Sequence, residues 1–249
     1  MAVSSRTMAK LSRMFNDSEA LAKFDAMSKT LNDPRHLDSL HWSDRTSRYA
    51  DYGLHTRNVK LETKTFVQNV DDTPSKHMSR TETKRVVLRE PQLRLVTDAF
   101  GYLSLFPLFF RMIPHDSPKL EKVIKQMLDP DLLWTPFGLR SLAKTSPWYN
   151  KYNTEHDPPY WRGNIWVNMN FLAVSSLHYY SQQEGPYRDL AFDAYAKLRS
   201  AVVSNVVKEY HRTGYLWENY NDETGHGQRS HPFTGWTSLV LLMMSETYE

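Results

Sequence analysis

Gly163-Asn-Ile-Trp-Val-Asn-Met-Asn-Phe-Leu-Ala-Val-Ser-Ser-Leu-His-Tyr-Tyr-Ser181 is apolar nearly all round, and the segment that follows, Pro186–His211, is not. In the second segment Leu190, Ala194, Leu198, Val202, Val206 and Tyr210 share one helical stripe, while Arg188, Asp189, Asp193, Lys197 and Lys208 take the other side. A helix without a polar face has to be covered on both sides, whereas a one-sided helix covers a neighbour and meets water. Pro186 suits a first helical turn and Gly214 an end. An inner helix followed by an outer one is the repeating unit of concentric helix layers.

The same texture extends in both directions. Phe233–Tyr248 reads as a last apolar helix. Toward the N-terminus, Trp134–Ser146 is turn-rich around Gly138-Leu-Arg, and Pro118–Leu128 is a short amphipathic helix. Asp98–Met112 is strongly apolar with Pro107 inside it, which predicts a break or kink. Residues 4–31 place Met8, Leu11, Phe15, Leu21, Phe24 and Leu31 at helical spacing, with Pro34 as a stop. Residues 40–95 differ: short β-prone pieces such as Thr65-Phe-Val and Arg85-Val-Val-Leu flank the polar run Asp71–Lys84, a long loop or hairpin excursion, either decoration or a lid. The expected fold is mainly α, a partial (α/α)6 toroid of about half a barrel, with a long loop or small β excursion near residues 40–95.

Composition narrows the chemistry. Among 249 residues, 31 Lys and Arg face 28 Asp and Glu, so the net charge of +3 is too even for a dedicated nucleic-acid or polybasic membrane surface. Cysteine is absent, which removes disulfides, thiolate nucleophiles and Cys-ligated metals. The ten His show no HExxH spacing, and GxSxG, P-loop and GxGxxG motifs are missing. No run reaches the length of a transmembrane helix, so direct membrane insertion by this chain is not expected. Asn16-Asp-Ser18 fits a glycosylation acceptor. Aromatic residues make up 13%, an excess that serves either a thick core or stacking platforms for ring-shaped ligands.

Two loops gather aromatics with polar residues. Glu155-His-Asp-Pro-Pro-Tyr-Trp-Arg-Gly-Asn-Ile-Trp-Val-Asn-Met-Asn170 leads into the buried helix with Trp161, Arg162, Trp166, Asn168 and Asn170. If that helix starts by Arg162, then Arg162, Trp166 and Asn170 share a face. Arg and Asn on an apolar helix need partners, which are other protein groups or sugar hydroxyls beside flat rings. Leu216-Trp-Glu-Asn-Tyr-Asn-Asp-Glu-Thr-Gly225, followed by His231-Pro-Phe-Thr-Gly-Trp236, sets Glu218 between Trp217 and Tyr220. A carboxyl group among aromatics is either a structural hydrogen-bonding group or a candidate for proton transfer.

At these loops the chain resembles a known family. Asp157-Pro-Pro-Tyr-Trp-Arg-Gly-Asn-Ile-Trp, Trp134-Thr-Pro-Phe-Gly-Leu-Arg-Ser-Leu, Glu218-Asn-Tyr-Asn and Gly235-Trp-Thr-Ser-Leu-Val-Leu together resemble glycoside hydrolase family 63, the processing α-glucosidase I (mannosyl-oligosaccharide glucosidase) family, from about residue 1 to the end. The resemblance implies an (α/α)6 catalytic domain and inverting removal of the terminal α-1,2-linked glucose from the glucosylated N-glycan precursor, on the lumenal side of the endoplasmic reticulum. No organic cofactor and no metal is implied. By the match of Trp-Glu-Asn-Tyr, Glu218 becomes the general base, with Trp161, Arg162, Trp166, Asn168, Trp217, Tyr220 and Trp236 around the substrate. Inversion needs a second carboxyl group roughly 6.5–9.5 Å from the base.

The family's general acid stands in a Gly-Leu-Asp-Asp type motif that this sequence does not contain. Residues 1–249 are therefore expected to be the C-terminal portion of the catalytic domain, without the N-terminal β-sandwich, membrane anchor and first barrel helices, and catalytically incomplete. Such a half-barrel would expose an apolar flank suited to association. Two alternatives stay open: a non-catalytic carbohydrate-binding or interaction fragment keeping half of the sugar site, and a family member acting on another α-glucoside.

Overall fold

The computed structural model of the chain describes residues 1–69, 77–152 and 158–248. Three helices come first: α1 (Ala2–Met14), α2 (Ser18–Leu31) and α3 (Pro34–His41). The single helical run expected over 4–31 is broken because Asn16 turns into left-handed backbone and Asp17 recaps the chain, its carboxylate accepting from the Ala20 N–H at 3.0 Å. The stretch ends at Leu31, ahead of Pro34 as expected, and Pro34 also occupies the first turn of α3, behind Asp33, whose side chain accepts from the Arg35 N–H.

The short strands β1 (Trp42–Ser43) and β2 (Arg48–Tyr49) pair antiparallel. Then come β3 (Asp51–His55), β4 (Val59–Asn69), β5 (His77–Val87) and β6 (Gln92–Val96). β4 and β5 form one long antiparallel ribbon in which Val59 faces Val87, and β3 pairs with β6. The expected excursion is thus present in its hairpin form, with β5 starting at His77. The tip of the Asp71–Lys84 run lies outside the described residues. The chain divides here into two units, Tyr52–Val96 and the remainder.

The remainder is helical. α4 (Tyr102–Phe109) and α5 (Pro118–Met127) follow, then the two-residue strands β7 (Trp134–Thr135) and β8 (Gly138–Leu139), α6 (Val167–Ser181) and α7 (Arg188–Thr213). Next are β9 (Asn219–Tyr220), β10 (Gly227–Gln228), a 3-10 turn (Trp236–Leu239) and α8 (Val240–Met244). Pro107 leaves α4 two residues to run: Arg111 takes φ +56°, and the Met112 N–H closes back on the Pro107 carbonyl at 2.8 Å. α6 packs against α4, α7, α8 and the 3-10 turn, which is the two-sided covering its composition demands. α7 buries Ala191, Ala194, Tyr195, Leu198, Val202 and Val206, while Tyr210, assigned to the same stripe, is half exposed.

Two helix boundaries differ from expectation. α6 starts at Val167 rather than near Arg162, because Ile165 is extended and bridges Arg140 on one side and Tyr220 on the other. The last apolar segment is a 3-10 turn with a five-residue helix, since Glu246 goes left-handed and the Thr247 N–H returns to the Leu242 carbonyl. One continuous core runs from Trp42 through α4, α5, α6 and α7 to Met243, and all its described buried residues belong to the larger unit.

Candidate active site

The exit of α7 delivers Glu218. Gly214 ends the helix at φ +79°, and the extended chain after it is tied along its length. The Glu218 N–H donates to the Ser230 carbonyl at 3.0 Å, the Phe233 N–H to the Leu216 carbonyl at 2.8 Å, and the Thr237 hydroxyl to the Trp217 carbonyl at 2.6 Å. Ile165 and Tyr220 exchange backbone bonds of 2.8 and 3.0 Å. That pair brings the loop before α6 against the loop after α7, although some fifty residues of chain separate them.

Glu218 is 8% exposed and turned inward. One carboxylate oxygen accepts from the Tyr160 hydroxyl and the other from the Ser230 N–H at 3.2 Å. Its own carbonyl accepts from the Trp236 indole N–H at 2.7 Å. Around this group stand stacked and edge-on rings. Trp161 lies on Trp166 at 3.7 Å and 15°, Tyr160 meets Trp166 edge-on at 4.7 Å, and Trp236 packs obliquely on Trp166 at 5.7 Å. The Arg229 guanidinium sits 5.1 Å over the Tyr160 ring and donates to the Pro159 carbonyl at 3.0 Å. Arg229 holds left-handed backbone at φ +69°, a cost borne where it re-aims a charged side chain.

The supporting layer is polar and mostly buried. Trp217 stacks on His231 at 3.8 Å and donates its indole N–H to the Thr213 hydroxyl. Glu209 is buried, accepts from the Arg212 guanidinium at 2.8 Å and from the Gly227 N–H at 2.7 Å, and ties α7 to β10. The Arg212 guanidinium, ahead of the Gly227 and His226 contacts, holds the Glu209 carboxyl down to about 2 despite its burial. Asp222 pairs with Arg140 at 2.9 Å, both nearly inaccessible, and accepts from the Tyr149 hydroxyl at 2.6 Å. Burial, with that carboxylate beside it, pushes the Tyr149 phenol up. Asn219 is wholly buried and accepts from the Asn164 amide at 3.0 Å. The Trp166 indole N–H and the Asn219 amide nitrogen are buried donors with no acceptor among the described residues.

Of the residues proposed from sequence, Trp161, Trp166 and Trp236 join the ring cluster that includes Tyr160, the hydroxyl partner of Glu218, whereas the Trp217 side chain turns to His231 and Thr213. Trp161 is 42% exposed and caps Trp166, which is fully buried. Tyr220 is also fully buried, and burial pushes its phenol up to about 12. Arg162 is not on the α6 face: it donates to the Lys151 carbonyl at 3.0 Å and lies over Trp148. Asn168 accepts from the Met169 N–H beside it in α6. Asn170 takes the structural alternative. It accepts from the Leu139 N–H at 2.7 Å and donates to the Trp166 and Leu139 carbonyls and to the Tyr102 hydroxyl. Tyr160, Asn219, Arg229 and Ser230 escaped the sequence reading, although Tyr160 directly precedes Trp161 and Asn219 directly follows Glu218. Glu155, His156 and Asp157 of the first loop lie outside the described residues.

The pattern of the glycosyl hydrolase family 63 C-terminal domain matches residues 1–246. Alpha-glucosidase 2 of Arabidopsis thaliana is 42% identical over 233 residues, 94% of this chain and 29% of that protein. Mannosyl-oligosaccharide glucosidase GCS1 of Arabidopsis thaliana is 42% identical over 243 residues, 97% of this chain and 28% of its own. The Saccharomyces cerevisiae mannosyl-oligosaccharide glucosidase is 32% identical over 82% of this chain and 21% of its length. The chain therefore spans less than a third of the curated relatives it matches.

Proposed function

This chain belongs to glycosyl hydrolase family 63, and on that premise we propose that it carries the general-base side of an inverting α-glucosidase site with Glu218 as the base. The observation that supports this most is the setting of Glu218: a carboxylate held as an acceptor on both oxygens, inside a cluster of Tyr160, Trp166 and Trp236. A base needs both features. The hydrogen bonds fix its direction, and the rings thin out competing water while offering a flat face to a pyranose.

In this reading a water between Glu218 and the anomeric carbon loses its proton to the carboxylate as it attacks. The product leaves with inverted configuration. Tyr160 keeps the carboxylate from rotating, and the indole of Trp236 anchors the main chain that bears it. The buried donors on Trp166 and Asn219 are of the kind that sugar hydroxyls satisfy. Trp161, Trp217 and Tyr220 are proposed as further aromatic residues of the substrate site, and Arg162 and Asn168 as polar ones. The substrate is the terminal α-1,2-linked glucose of a glucosylated N-glycan precursor, and the place of action is the lumenal side of the endoplasmic reticulum. No helix among the described residues is long and apolar enough to cross a membrane. The helical layers form part of an (α/α)6 toroid.

The acid partner belongs to a motif absent from this sequence, and general acid catalysis is typically worth about 10²–10⁴-fold. An α-1,2-linked glucose disaccharide should therefore bind the chain and quench its tryptophan fluorescence without being cleaved. Trp236→Ala and Trp161→Ala should each weaken that binding at least fivefold. Rapid glucose release by the chain alone would refute the division of labour between base and acid, and no saturable quench would refute the sugar site.

A further inference from the structure

Asn16-Asp-Ser18 is the single Asn-X-Ser/Thr triplet in the sequence, and neither Asp17 nor the following Glu19 is proline. The fold sets this triplet at the turn between α1 and α2. Asn16 takes left-handed backbone at φ +55°, a conformation that Asn tolerates better than most residues with a side chain. There its N–H donates to the Arg13 carbonyl at 3.2 Å, and the Asp17 N–H donates to the Ser12 carbonyl at 2.9 Å. That pair of backbone bonds closes α1. The Asp17 carboxylate opens α2 through the Ala20 N–H.

Every one of these structural duties falls on the main chain or on Asp17. The fold therefore accounts for the backbone of Asn16 and leaves its side chain unused. Asn16, Asp17 and Ser18 are all exposed, and neither the Asn16 amide nor the Ser18 hydroxyl has a hydrogen-bond partner among the described residues. A bulky group on the Asn16 amide nitrogen would project into water and displace no packed atom. The two residues before it, Met14 and Phe15, are 73% and 78% exposed. A saccharide lying against the turn would cover this apolar pair, its ring face on the Phe15 ring.

We propose that Asn16 is a site of N-linked glycosylation. The co-reactant is an oligosaccharide carried on a lipid diphosphate, delivered by a transferase of the endoplasmic reticulum lumen. The Asn16 Nδ2 forms a bond to the anomeric carbon as the bond from that carbon to the diphosphate oxygen breaks. The lipid diphosphate leaves with the electron pair, one amide proton passes to a base of the transferase, and nothing is oxidised or reduced. The inference rests on the lumenal placement in the glucosidase reading, but it makes no use of Glu218. A chain that trims N-glycans would then also carry one.

The test is expression of the full chain behind a secretory leader in eukaryotic cells, with a reporter triplet Asn-Gly-Thr appended after Glu249. Glycopeptidase digestion in heavy-oxygen water converts each formerly glycosylated Asn to a labelled Asp, which peptide mass spectrometry locates. The label is expected at Asn16 and at the reporter. On gels the wild type and Ser18→Thr should carry both glycans, and Asn16→Gln and Ser18→Ala the reporter glycan alone. Because the turn is exposed, the Asn16 glycan should come off the native chain without denaturant. A modified reporter beside a bare Asn16 would overturn the proposal, as would modification of Asn16 that survives Ser18→Ala. Failure of the chain to bind glucose disaccharide while Asn16 is glycosylated would instead count against the glucosidase reading and support this one.

Discussion

Tyr160 and Trp161 are neighbours in sequence with different tasks: the first donates to Glu218 and the second caps Trp166. The motif flagged the segment but could not divide the work, because a non-helical stretch has no period from which to read a side chain's direction. Asn170 shows the same limit: Asn on a buried helix announces a partner, and only the fold reveals that the partner is the β8 backbone at Leu139. Glu209 offers a quantitative check. Its folded value of about 2 lies below the ordinary 4.5. Its contribution is therefore complete above pH 4.5 and disappears as pH falls toward 2. Glu209→Gln should cost up to about 3 kcal/mol near neutrality, and denaturant melts should show the gap to wild type closing as pH drops below about 4. A gap that stays constant with pH would mean that the charge at this position is not what ties α7 to β10.

At the scale of elements, the helices that were legible are those whose pattern matches their surroundings. α5 and α7 fall within two residues of their expected ends, and α6 keeps its all-round apolar character. What was not legible is where the backbone leaves the helix to make a long-range bond: Ile165 before α6, and Thr247 after α8. Two glycines separate local from long-range demands. Gly214 closes α7 at φ +79° with open space around it, so Gly214→Ala should cost only about 1 kcal/mol of backbone strain. Gly227, in β10, lies against the face of Trp217, and an added methyl group would overlap that ring. Gly227→Ala should cost about 1–3 kcal/mol and disturb the Trp217–His231 stack. Near-UV circular dichroism should change for Gly227→Ala and not for Gly214→Ala; identical spectra would contradict the packing described.

Across the whole molecule, the shift from helical periodicity to short β-prone pieces announced the Tyr52–Val96 unit. The strand pairing within it depends on contacts that no local pattern encodes. Because the described buried residues of the hydrophobic core all belong to the larger unit, replacing residues 52–96 by a short Gly-Ser linker should leave a cooperative melt and the native tryptophan emission. Loss of both would mean that the core depends on the excursion. The central proposal, that Glu218 is a base awaiting a water and a glucose, has a direct test that does not depend on a general acid. Fluoride departs from α-glucosyl fluoride with little protonation, so the proposed base should suffice to hydrolyse it. Proton NMR of the first-formed sugar should show β-glucose, and Glu218→Gln should abolish the reaction. Formation of α-glucose, hydrolysis no faster than in buffer, or equal rates in wild type and Glu218→Gln would contradict it.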